Sequence, residues 1–176
     1  VAIYQLMRQG RRDEALRQLR TNAALLLAVL VPVTVGVALL GPTLVTLTVA
    51  ESYRSVTADL LALSMFAGAL RNLHMHVTDQ LMVLERRFAM VARIDLVEIA
   101  LCGLASLLGL LWYGLHGAGI GQALGSAVTL LLSMHWARKH LGFQWPVLET
   151  AKLMAASGLM GLMLHLVRTP PSAMGL

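Results

Sequence analysis

The chain has 176 residues, of which 57% are hydrophobic and 13% charged, and its mean hydropathy is +0.72. Soluble domains carry about 25% charged residues, so this composition excludes an ordinary soluble domain and predicts an all-α polytopic membrane protein. The single Cys102 rules out a disulfide framework or a Cys-rich metal site.

In chain order, residues 1–20 (VAIYQLMRQGRRDEALRQLR) read as a basic surface helix interrupted at Gly10, with Asp13 and Glu14 placed to pair with Arg17. There is no initiator Met and no signal-peptide pattern, so the chain is expected to begin partway through a longer protein. Thr21 and Asn22 are candidate caps for a first spanning helix over 23–50, a stretch without an ionisable side chain. Pro32, Gly36 and Gly41-Pro42 predict bends in it, not a break. The polar turn Glu51–Arg54 leads to a second helix over 55–84, and the basic turn Glu85-Arg86-Arg87 to a third over 88–113. Gly114-Leu115-His116-Gly117 has room only for a tight antiparallel hairpin. A fourth helix, 118–140, ends in Arg138-Lys139-His140; Gly142 and Pro146 punctuate the next turn; a fifth runs over 147–167, and Pro170-Pro171 stops it. Residues 21–168 thus form a transmembrane lobe of about five helices, followed by a tail, 169–176, expected to be truncated.

Basic residues divide unevenly between the two ends of these helices. One side holds Arg8, Arg11, Arg12, Arg17, Arg20, Arg86, Arg87, Arg93, Arg138, Lys139 and Lys152, the other only Arg54 and Arg168. The positive-inside rule makes the N-terminus cytoplasmic. The formal net charge of +5 follows from topology, and no nucleic-acid partner is expected.

Arg71 stands near the middle of the second helix, where a charge costs about 2.5–3.5 kcal/mol on insertion scales and must face protein or water. On a regular helix Arg71, Asn72, His76 and Asp79 share a polar sector about 140° wide. Arg71 then either lines a hydrophilic cavity and meets an anionic group, or pairs with an acid on a neighbouring helix. Asp95 and Glu98 share one face near the cytoplasmic end of the third helix. They either pair with Arg86, Arg87 or Arg93 at the interface, or form a proton or cation site.

His74 and Asp79 have an acyltransferase-like H-x-x-x-x-D spacing, but five positions apart on a regular helix lie about 140° from each other and do not converge. His74 and His76 diverge as well, leaving only His76 with Asp79 able to share a ligand. No catalytic residue, metal centre or cofactor is expected. The string from Gly117 to Gly125 fails as a dinucleotide loop, because Gln122 falls where the third glycine belongs and no strand precedes it. Gly117, Gly121 and Gly125 have instead the small-xxx-small spacing of closely packed membrane helices; a glycine-lined pathway is the alternative.

A family resemblance rests on the order of these elements: the basic segment, the helix with Pro32 and Gly36, the turn Ala50-Glu51-Ser52-Tyr53-Arg54-Ser55-Val56, the Leu84–Arg87 end, and the run from Gly117 to Ala123. In this it resembles the C-terminal half of a bacterial polysaccharide or O-antigen flippase of the multidrug/oligosaccharidyl-lipid/polysaccharide exporter superfamily. Ala50 and Val56 stand where the family's turn has Gly and Ala, and the small residues after Gly117 are shifted. The resemblance implies a bacterial inner-membrane protein of two pseudo-symmetric lobes around a cationic cavity. This chain would be most of one lobe and would need the missing N-terminal lobe as partner. The implied substrate is a lipid-linked oligosaccharide diphosphate. Arg71 would bind its phosphates, Asn72 and His76 its phosphate or sugar oxygens, and Asp79 would pair with Arg71 in the empty state. Alternatives are a cation-coupled drug exporter of the same superfamily, using Asp79, Asp95 and Glu98, and a non-transporting membrane scaffold.

Overall fold

A computed structural model of the chain describes residues 2–168; the tail, 169–176, with Pro170-Pro171, lies outside the described residues. They are helical, with no strand among them: α1 (Ala2–Arg8), α2 (Arg12–Thr48), α3 (Arg54–Leu73), a π-helical segment (His74–Asp79), α4 (Gln80–Leu84), α5 (Phe88–Leu141) and α6 (Val147–Arg168). Three stretches are long and apolar enough to cross a membrane: Arg12–Thr48, Glu51–Leu84 and Phe88–Leu141. Only 11%, 11% and 6% of their most apolar windows are buried inside the protein, so leucines such as Leu25, Leu47 and Leu111 stand exposed. In water that surface would be strongly unfavourable; against acyl chains it is matched. The chain is a membrane protein on that ground.

The expected helix start near residue 23, capped by Thr21 and Asn22, is not found. Gly10, at φ +75°, separates α1 from α2 as its freedom from a Cβ allows, but α2 then runs unbroken into the apolar stretch. Thr21 and Asn22 are interior residues, Thr21 donating to the Arg17 carbonyl at 3.2 Å and Asn22 accepting from Gln18 at 3.4 Å. The reason is register. Ala15, Leu19, Ala23 and Leu27 are all buried, and their spacing of four carries one packing stripe through the junction. Pro32 and Pro42 lie inside the same continuous helix.

At the far end of α2 a short 3₁₀ turn, Glu51–Tyr53, reverses the chain, and Arg54 Nε donates to the Val49 carbonyl at 2.9 Å, satisfying a terminal acceptor. At the near end α4 stops with Arg86 at φ +57° and the Arg87 amide bonded back to the Met82 carbonyl at 2.8 Å, a Schellman closure with arginine in the position glycine usually holds.

The third and fourth expected helices are the two arms of α5, parted by non-helical angles at Tyr113 and Gly114. Gly114, at φ +63°, makes the turn, so Leu115, His116 and Gly117 already belong to the returning arm and do not form a loop. The arms 88–112 and 115–141 lie against each other backbone to backbone. A Cβ on Gly117 would overlap the Gly109 carbonyl, one on Gly121 the carbonyl of Ala105, and one on Gly125 would stand 2.7 Å from Cys102 Sγ.

Packing runs α6–α2–α3–α5. One apolar cluster joins Leu19 and Ala23 of α2, Val77, Leu81 and Met82, and Ile94, Ala137 and Leu141 of α5. The start of α2, the turn after α4 and both ends of α5 therefore meet at one end of the bundle. Arg12 pairs there with Glu85 at 2.9 Å and donates to the Leu141 carbonyl at 3.0 Å, and Arg20 lies 3.7 Å from Glu149.

Candidate functional site

Immediately above that basic end, α3 changes pitch. From His74 to Asp79 the hydrogen bonds run i to i+5, the wider π turn that recurs at functional sites in helices. Residues five apart then stack. His74 Nε2 comes within 3.4 Å of Asp79 Oδ1, where a regular helix would hold the two about 140° apart. The expected divergence of His74 and Asp79 is thus corrected, and the cause is the inserted residue of the π segment.

His74 is 1% exposed. Its Nδ1 lies 2.9 Å from Thr78 Oγ1 and 3.1 Å from Ser133 Oγ on the returning arm of α5. Thr78 donates its own proton to the His74 carbonyl at 2.8 Å, and Ser133 its proton to the Leu130 carbonyl at 2.9 Å. Both hydroxyl oxygens therefore offer lone pairs to Nδ1, which places the ring proton on that nitrogen. Nε2 points the other way, toward Asp79, Asp95 Oδ1 at 3.8 Å and Glu98 Oε2 at 3.9 Å. Neither Nε2 nor Asp79 Oδ1 has a hydrogen-bond partner, although both are buried.

Asp95 and Glu98 do not turn to Arg86, Arg87 or Arg93 as the interface reading has it. Glu98 is buried on α5's inner face one turn from Ile94, and Asp95, half exposed at the edge of that face, also turns to the π segment. Arg87 instead lies over the Trp136 ring, 5.4 Å from its centroid, a cation–π placement. Glu98 faces two ways, with Oε2 toward His74 and Oε1 at 3.8 Å from Arg71 Nε.

Arg71 itself is only loosely held: its side chain is 60% exposed. It lines a cavity of about 230 Å³ together with Ser64, Gly68, Glu98, Gln122 and Ser126. Its acidic neighbour is Glu98 and not Asp79, because the π turn rotates Asp79 toward His74. Asp79 borders a different opening, a cleft of about 490 Å³ shared with Tyr4, Gln18, Asn22 and Gln80. The other two members of the expected polar sector do not join it. Asn72 is exposed and donates to its own helix at the Gly68 carbonyl, 2.9 Å away, and His76 is exposed on the far side of the π segment from buried His74.

The sequence reading weighs His74 with Asp79 and with His76 and sets both pairings aside on regular-helix geometry, yet the site is built around it. The signal available for it is weak: an H-x-x-x-x-D spacing that converges only if the helix widens.

Compared with known proteins, the chain matches no family model, no curated protein and no solved structure.

Proposed function

We propose that the chain forms five spanning helices of one lobe of a flippase, which carries a lipid-linked oligosaccharide diphosphate from the cytoplasmic to the periplasmic leaflet of a bacterial inner membrane. Its N-terminus is cytoplasmic and Glu51–Arg54 periplasmic, and a second lobe completes the transport path. The observation that carries this reading is Arg71: a guanidinium midway along an apolar span, 60% exposed and 3.8 Å from its acidic neighbour, on a pocket with hydroxyl and amide groups.

A diphosphate loses hydration on entering such a pocket, and the planar fork of arginine replaces it with paired charge-assisted hydrogen bonds. Glu98 holds the guanidinium when no phosphate is present and releases it by competition. Gln122 and Ser126 line the same cavity and supply neutral polar groups for sugar or phosphate oxygens, while the polyprenyl tail stays in lipid. The drug-exporter reading draws on Asp79, Asp95 and Glu98, three carboxylates within reach of one histidine; an organic cation would bind there, on the His74 side of Glu98.

The test is Arg71→Ala in the full-length protein, in cells whose surface polysaccharide depends on it. Surface polysaccharide should fall at least tenfold at unchanged protein abundance, and Arg71→Lys, which keeps charge but loses the fork, should retain part of it. Full export by Arg71→Ala at normal abundance rejects the phosphate role.

A further inference from the structure

We infer that His74, Asp79, Asp95 and Glu98 form a binding site for one divalent transition-metal cation of the zinc class, bridging the π segment to the first arm of α5. This inference rests on the site's geometry alone and not on the transport reading.

The imidazole supplies the first argument. With Nδ1 donating to Thr78 and Ser133, Nε2 presents a bare lone pair, and what it faces is three carboxylates. Two acceptors do not attract one another, so the arrangement is favourable only with an electrophile between them. A buried histidine whose outer nitrogen is fixed by hydrogen bonds and whose inner nitrogen points into a carboxylate cluster is how metal-ligating histidines are oriented.

The spacing fits an ion. Bonds of about 2.0–2.2 Å in a tetrahedron set ligand atoms about 3.3–3.6 Å apart. His74 Nε2 and Asp79 Oδ1 are 3.4 Å apart, Asp95 and Glu98 oxygens stand 3.8 and 3.9 Å from the same nitrogen, and donor atoms of His74, Asp79 and Asp95 all lie within 4.8 Å of one another. His74, Asp79 and Asp95 make the near shell, and Glu98 joins it by turning its carboxylate further toward them. The charge fits as well: three carboxylates, with Arg71 beside Glu98 alone, leave an excess of two negative charges, which a divalent ion neutralises. Imidazole together with carboxylates favours zinc over magnesium or calcium, which take oxygen donors. Asp79 lies on the cleft of about 490 Å³, which gives an entry path from the basic end.

The experiment uses the purified full chain in detergent, stripped with a chelator and then titrated with zinc or magnesium, with bound metal counted by mass spectrometry and the thermal midpoint followed in parallel. One zinc per chain should bind and raise the midpoint, and magnesium at the same concentration should do neither. Asp79→Asn and His74→Gln should each weaken zinc binding at least tenfold. Ser133→Ala, outside the donor set, should weaken it about tenfold through the histidine's orientation. His135→Gln and His140→Gln, at exposed histidines, should leave it unchanged. If His74→Gln does not fold, the isosteric Asp79→Asn decides. Zinc binding that survives Asp79→Asn, or that disappears with His135 or His140, would overturn the inference. So would a folded wild-type chain that binds no zinc and takes up protons at this cluster on acidification.

Discussion

Two joints hold α5 to the rest of the helical bundle and to itself, and they work by opposite means. In the hairpin the arms meet through absent side chains, with Gly117, Gly121 and Gly125 letting one backbone touch the other at Gly109, Ala105 and Cys102. At the π segment the helices meet through buried polar atoms, His74 reaching Ser133 on one arm and Asp95 and Glu98 on the other. The first joint is governed by volume and is blind to charge. The second is governed by charge and hydrogen bonding, and volume matters less. In a bilayer, where apolar surface gains nothing by leaving lipid, these are the two routes by which helices associate.

The contrast sets an order of effects. Gly121→Leu should do the most damage, because its Cβ would overlap the Ala105 carbonyl and the arms must part; a loss of about 3 kcal/mol or more should show as missing folded protein in detergent. Undiminished yield and an unshifted melting curve would mean that the hairpin does not rely on close approach. His74→Ala comes next, at about 2–4 kcal/mol, since it opens a cavity and leaves the Thr78 and Ser133 hydroxyls without their ring partner; chemical denaturation reads it. Gly119→Ala sharpens the comparison from within the glycine run: its Cβ would stand 3.0 Å from Leu63 Cδ1, the tip of a side chain that can move, so the melting temperature should drop far less than with Gly121→Ala. A larger drop at 119 would place the critical contact on α3 and not inside α5. Smallest of all is Asp59→Asn. It removes the 2.9 Å pair with His116, in which both groups are well exposed, and should change stability by no more than about 0.5 kcal/mol.

The two joints also differ in how plainly they are written in the chain. A spacing of four between glycines is a property of the sequence alone, and at Gly117, Gly121 and Gly125 it points to close packing ahead of a glycine-lined pathway. The apolar runs are equally direct, since lipid demands length and hydropathy and little else. The π turn is not legible, because it depends on which register the next helix stabilises; Thr78, Ser133 and the acids of α5 together select it, and they lie far apart in sequence. Every residue placed by a regular 3.6-residue count beyond position 73 is displaced by it. That is why a regular count puts Asp79 on Arg71's face and His74 on none. The continuity at residue 21 was hidden for a different reason: Thr21 and Asn22 are good caps by type, and only the buried stripe from Ala15 to Leu27 shows that packing overrides them.

The length of α2 has a mechanical consequence. Its 37 residues make a rod of about 55 Å, against a hydrocarbon core of about 30 Å, so a substantial part of it projects beyond the acyl chains. Arg12, at the foot of the rod, is tied to Glu85 and to the Leu141 carbonyl, which makes the foot a fulcrum. A tilt of about 10° around it would carry the opposite tip through about 10 Å, so a small rotation at the basic end is magnified at the other.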